Sequence, residues 1–357
     1  MNKEKALEKF TSYLEKLYSS NEIFNAVSLI HSEKHGIHWK RSFGILPDKN
    51  FHIASVGKTI NATIAAMLIE QGKLIFDDAI DKYLDSSILE GLHVYKGKDY
   101  SGEIKISHLL GHTSGLDDYF ETKGKNGERI VDMAVKDKDK FWTPEETIEW
   151  AKTNLDPIAV PGKKFKYSDT GYQLLGLILQ NITDKPLWLL QKDMLFDPLE
   201  MNRSYMFFHS EPKSNLSQPL SKIFINKTEV STYRSLTLDW GGGGIVSTVE
   251  DLLKFHKALM NYKLISRDTL EKMLIPNGRI SWGMNYGMGL WDISFNKIFF
   301  LLPKVRVIGS SGSTGSYMYY NREEDVYFIG TFNHEKFQTK HIRAMINFYS
   351  FFKKGIA

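Results

Sequence analysis

Ser55 and Lys58 stand three residues apart in the stretch FHIASVGKTINATIAAMLIEQGKL. On a helix that spacing puts both side chains on one face, one turn apart and within reach of each other. A helix start also offers unpaired N–H groups and a positive dipole end, which hold an oxyanion and favour neutral lysine over ammonium. A desolvated Lys58 is then expected to accept the Ser55 proton and make the serine a nucleophile. Three other pairs, Ser210/Lys213, Ser294/Lys297 and Ser350/Lys353, share the spacing. Only Ser55 opens a long apolar helix.

Tyr167 and Asp169 lie in PGKKFKYSDTGYQLLGLIL, directly before another apolar helix. A phenol with an ordinary pKa of about 10 can shuttle protons when a nearby lysine stabilises its phenolate, and Asp169 is placed to hold Lys58. A third stretch, VIGSSGSTGSYMYY, is a strand interrupted by small residues, as expected where a backbone edge lies against a substrate. Its N–H groups can supply half of an oxyanion hole.

These three stretches, with ISHLLGHTSGL, DPLEMNRSY and GGGGIVSTVEDLLKF, occur in the order found in the serine β-lactamase and penicillin-binding-protein superfamily, which the sequence resembles over nearly its whole length. The resemblance lies with the branch of class C β-lactamases, D-Ala-D-Ala carboxypeptidases and family VIII esterases. It implies an acyl-enzyme serine hydrolase with Ser55 as nucleophile, Lys58 as its proton partner and Tyr167 as the base that later protonates the leaving group. Gly312 matches the glycine of the third motif, and the N–H groups of Ser55 and Ser313 match the oxyanion hole.

Two positions depart from the family. Asp169 replaces an asparagine whose amide donates to a substrate carbonyl, and an ionised carboxylate only accepts. Its negative charge also raises the Lys58 pKa, against the neutral-base role. Ser310-Ser311-Gly312 replaces a motif that starts with lysine or histidine, so the cation for a substrate carboxylate is missing there; Arg306 and His334 are the candidates to replace it. The expected substrate is therefore a small ester or amide, as for an esterase or peptidase-like enzyme. The alternatives are a β-lactamase or D-Ala-D-Ala carboxypeptidase acting on β-lactam-like or peptide substrates, and a catalytically weakened binding protein.

Other motifs argue against other chemistries. His108 and His112 form H-x-x-x-H, but Leu109 stands where a zincin needs glutamate, so no metal or other cofactor is expected. Gly241 to Gly244 lacks the Lys-Ser/Thr of a P-loop and suits close backbone packing near the cleft. No G-x-S-x-G is present. Trp240, Trp282, Tyr286 and Trp291 are candidates for a cleft wall or for the core.

The elements that must hold these residues follow from periodicity. Ile60, Ile64, Met67 and Leu68 mark a buried helix of about four turns ending near Gly72. NAVSLIHSEKHGIHWKRSFGI reads as a hairpin, and further strands fall between Asn285 and Asn333. The sequence thus predicts an α/β (α+β) fold of the β-lactamase/transpeptidase type. Residues 1–79 and 266–357 form an antiparallel sheet domain flanked by helices, with 80–265 an inserted, mainly helical domain.

With 357 residues, 42% of them hydrophobic, the chain has material for a large core. The 46 basic residues are scattered among 42 acidic ones, which argues against nucleic acid as a partner. No apolar run of about 18 residues is present, so no integral membrane segment is expected. The N-terminal MNKEKALEKFTSYLEKLY is a charged amphipathic pattern rather than a secretory signal. As given, the chain reads as cytoplasmic, or as extracytoplasmic if a leader has been removed. The absence of cysteine leaves either redox compartment open. Composition says nothing of oligomeric state.

Overall fold

The computed structural model describes residues 3–20, 23–214, 219–225, 227–337 and 339–353. Its centre is an eight-stranded antiparallel sheet in the spatial order 278–281, 284–286, 291–294, 306–311, 317–321, 326–331, 26–32, 37–43. The hairpin Ala26–Ser32/Ile37–Phe43 turns at Gly36, whose φ of +59° suits a residue without Cβ. Strand 26–32 then pairs with Val326–Thr331, Val27 opposite Thr331, which brings the two ends of the chain into one sheet.

Period-two alternation decides which side chains face which layer. Ala26, Ile30, Tyr317, Tyr319, Val326 and Phe328 point into one apolar cluster, shared with Phe10 and Leu14 of helix Lys3–Ser19 and with Met345 and Phe348 of helix Lys340–Phe352. Their neighbours Val27, Leu29, Met318, Tyr320, Tyr327 and Ile329 point into the other cluster. That second cluster contains Ile60 and Ile64 of helix Val56–Glu70, Leu174 and Ile178 of helix Asp169–Thr183, and Leu252 and Phe255 of helix Val249–Met260. Both faces of the sheet are covered, which is why every residue of strand 326–331 is buried.

The stretch between the strands is mainly helical and includes a small three-stranded sheet of Phe51–His52, Ile245–Ser247 and Tyr205–Met206. That sheet matters because it ties the chain just before Ser55 to the chain just after the glycine run. Helix Val56–Glu70 is buried on nearly every side and ends as expected, with Gly72 at φ +72° and the Lys73 N–H donating to the Leu68 carbonyl at 3.0 Å.

Candidate active site

Ser55 sits immediately before helix Val56–Glu70, after Ala54 at φ +45°. A left-handed non-glycine residue costs free energy, and packing holds this one in place. A Cβ on Gly243 would lie 2.3 Å from the Ala54 carbonyl carbon, and one on Gly57 would lie 3.0 Å from the Gly243 Cα. The glycine run therefore closes against the back of the Ser55 turn, the close packing its composition suggested.

Lys58, 1% exposed, donates to Ser55 Oγ at 3.0 Å, to the Gly242 carbonyl at 2.8 Å and to Asp169 Oδ1. Burial alone would depress its pKa, but the Asp169 carboxylate, Tyr167 and Asp239 outweigh that and hold it well above the ordinary lysine value. Of the two opposing influences read from the sequence, burial and the Asp169 charge, the charge prevails and favours Lys58 as an ammonium, because one buried cation faces several carboxyl groups.

Tyr167 is partly buried, and Lys58 Nζ lies 5.2 Å from its ring centroid. Burial raises the phenol to about 12 despite the opposing pull of Lys58 and the Ser55 hydroxyl. His112 stacks on it with ring centroids 4.2 Å apart, and Tyr286 stands edge-on behind it at 5.8 Å. The His112 Nδ1 accepts from the Ser168 N–H at 3.2 Å, and burial keeps the imidazole neutral, so this ring shapes the tyrosine turn. The His108 Nδ1 accepts from the Lys105 N–H at 3.1 Å. Among the described residues no group of three His, Asp or Glu side chains is arranged to hold a metal ion.

The sequence reading missed two carboxyl groups. Asp118 Oδ1 accepts from the Asp169 N–H at 3.0 Å and the Phe120 N–H at 3.1 Å. Burial and the neighbouring Asp169 push its pKa up to about 7. Asp239 flanks the glycine run, where a Cβ on Gly242 would fall 2.7 Å from Asp239 Oδ1 and 2.4 Å from Asp169 Oδ1. Burial, opposed by Lys58 and reinforced by Asp169 and Asp118, raises it to about 8. An acid just ahead of four glycines was the available signal for Asp239, and nothing local says that it folds beside Lys58.

Strand Arg306–Ser311 brings up the third stretch. Ser310 is 2% exposed, does not line the cleft and donates to the Ser55 carbonyl at 3.4 Å. Ser311 reaches the cleft while its hydroxyl bonds with Tyr319 at 2.6 Å and His341 at 2.9 Å. A Cβ on Gly312 would fall 2.5 Å from the Ile53 carbonyl, so only glycine lets this strand end approach the Ser55 turn. Among the described residues neither the Ser55 N–H nor the Ser313 N–H donates to a protein acceptor.

The cleft has a volume of about 390 Å³, and its wall includes Ser55, Tyr167, Asp169, Trp291, Gly312 and Ser313. Arg306 and His334 are not part of it. Arg306 is held by Asp292 at 2.8 and 3.1 Å, and His334 stacks on Phe224. The cations that do line the cleft are Arg279, which lies 4.7 Å over the Trp282 ring, and Lys166, which is paired with Asp117. Trp240 is buried against Gly176, whereas Trp282 is 73% exposed. A second cavity of about 70 Å³, largely apolar, lies beside the cleft and shares Phe120, Glu121, Asp239 and Ser313 with it.

The sequence family described as Beta-lactamase matches residues 24–346. An N-acetylmuramyl-L-alanine amidase of Bacillus subtilis is 33% identical over 190 residues, covering 52% of this chain and 37% of that one. The chain spans 60% or less of the length of the curated relatives it matches. Among solved structures, a D-amino acid amidase from Ochrobactrum anthropi SV3, complexed with L-phenylalanine amide, superposes with a TM-score of 0.77. It has 17% identity over 99% of this chain and 100% of that one. EstCE1, a hydrolase with promiscuous acyltransferase activity, gives a TM-score of 0.75 at 19% identity over 97% and 98%. At such identities these two likenesses speak to the fold.

Proposed function

The chain belongs to the beta-lactamase family of serine hydrolases, and from that premise we propose that it hydrolyses small esters or amides through an acyl-enzyme on Ser55. The observation that carries the reading is the Lys58–Ser55 pair, bonded at 3.0 Å in a cleft whose wall also includes Tyr167 and Ser313, while among the described residues the N–H groups of Ser55 and Ser313 have no protein acceptor. Such a pair of donors suits the oxyanion of a tetrahedral intermediate. The fold is shared by a D-amino acid amidase and by a hydrolase with promiscuous acyltransferase activity, and the proposed reaction is of the same class.

The charges of the site define the proton path. Lys58 starts as an ammonium and Tyr167 as a neutral phenol, so neither is a resting base. As Ser55 Oγ bonds to the substrate carbonyl carbon, its proton passes to Lys58 while Lys58 passes one of its own to Asp169. The site then holds an oxyanion, an ammonium and a carboxylic acid, and charge is conserved. On collapse, Tyr167 gives its proton to the leaving atom and is refilled from Lys58, which Asp169 recharges. Water repeats the cycle to release the acid. Asp169, an acceptor where the family has a donor, is thereby a working part of the relay.

Glu121 and Asp169 line the cleft, and of its two cations Lys166 is paired with Asp117 and Arg279 lies over Trp282, so uncharged or cationic acyl groups suit it better than the carboxylates of β-lactams or D-Ala-D-Ala peptides. The apolar side cavity is the natural place for the acyl side chain.

Labelling with a fluorophosphonate followed by peptide mapping tests the reading. Ser55 is expected to carry the label and Ser55→Ala to lose both label and turnover. A folded wild type that is neither labelled nor active would instead favour a binding protein.

A further inference from the structure

Two loops project side by side at one end of the sheet. The first is the turn of hairpin Gly278–Ser281/Met284–Tyr286, carrying Ile280 and Trp282. The second follows the short helix Phe295–Ile298 and carries Phe299, Phe300 and Leu301. They are tied together: the Ser294 N–H donates to the Gly283 carbonyl at 2.8 Å, and a Cβ on Gly283 would fall 2.6 Å from the Ile298 nitrogen.

Trp282, Phe300 and Leu301, at 73%, 77% and 71%, are the three most exposed large apolar side chains among the described residues, and Phe299 adds 51%. Large apolar side chains gathered on one tip mark an interaction surface. The basic residues there are Arg279, Lys297 and Lys304, all exposed. Across 278–304 the one acidic residue is Asp292, and Arg306 holds its carboxylate.

We propose that this tip docks on an anionic phospholipid surface, with Trp282, Phe300 and Leu301 entering the headgroup region and Arg279, Lys297 and Lys304 meeting lipid phosphates. A protruding pair of loops fits a fluid interface, which needs no complementary groove. Aromatic side chains are at home at that depth, and basic neighbours add electrostatic attraction. A symmetric contact with a second copy would instead set two groups of three cations against each other. Arg279 and Ile280 also line the cleft, so docking puts the cleft mouth at the lipid–water boundary, where acyl substrates with apolar tails partition.

The test is cosedimentation of the full chain with phosphatidylcholine vesicles, with and without phosphatidylglycerol, together with tryptophan emission. Wild type is expected to bind the phosphatidylglycerol vesicles with a blue shift that Trp282→Ser removes, and to weaken as salt rises. The triple change Trp282→Ser, Phe300→Ser, Leu301→Ser is expected to lower binding at least about tenfold. The pair Lys297→Glu, Lys304→Glu, which leaves the apolar tip intact, is expected to lower it specifically on anionic vesicles. Failure of wild type to bind at low salt, equal binding to both vesicle types, or full binding by the triple variant would overturn the proposal. So would a wild-type dimer in solution that the triple variant abolishes, since the face would then belong to a second copy.

Discussion

The Lys58 ammonium that donates to Ser55 Oγ at 3.0 Å is held from its other side by the Asp169 carboxylate. This pair decides the protonation of the site, because a buried cation beside a carboxylate does not give up its proton without somewhere for it to go. In the proposed relay, Asp169 is that destination.

Asp169→Asn restores the residue usual in the family and removes the proton acceptor. It is expected to lower kcat/KM by about a hundredfold or more, the scale of general acid–base catalysis, with the fold intact by circular dichroism. Equal or higher activity would show that Asp169 accepts no proton, and the base would then have to be Tyr167.

Tyr167→Phe separates the acid role from the base role. A p-nitrophenyl ester expels a stable anion that needs no proton, whereas an amide nitrogen must be protonated to leave. The variant is expected to lose about a hundredfold or more on the amide and much less on the activated ester. Equal losses on both substrates would make Tyr167 the base of the first step.

Asp239 carries a stability signature. Its pKa is raised to about 8, so the folded protein keeps its proton where the unfolded chain has already lost it. The folded state then binds more protons than the unfolded one between about pH 4 and about pH 8, and stability falls as pH rises through that window. Asp239→Asn removes this dependence. Its Tm relative to wild type is expected to climb from about pH 5 to about pH 8; a constant difference would mean that Asp239 is already ionised in the folded state.

Local pattern explains why much of this was legible in the sequence. The helix after Ser55 announces itself by apolar spacing and Gly72, the hairpin by alternation around Gly36, and the glycine run by composition. Each signal is short-range physics. Asp118 and Asp239 escaped because their importance lies in meeting Lys58 from distant parts of the chain, and the charge state of Lys58 depends on all of them at once. Ser310 shows the same limit: motif alignment gives its position, but only packing shows its hydroxyl turned to the Ser55 carbonyl.

Substrate charge is the last point on which the site commits itself. Glu121 lines both the cleft and the side cavity. A substrate carboxylate brought there sits within a Debye length, about 8 Å at physiological salt, of like charge. Arg279 opposes this from the other wall, but its guanidinium is exposed and lies over Trp282, where water screens it. A neutral acyl ester is therefore expected to exceed a chromogenic cephalosporin in kcat/KM. Glu121→Gln is expected to narrow that ratio by about fivefold or more, while Arg279→Ala widens it only slightly. If wild type prefers the cephalosporin and Arg279→Ala reverses the preference, Arg279 is the carboxylate receptor and the preference for uncharged esters is wrong.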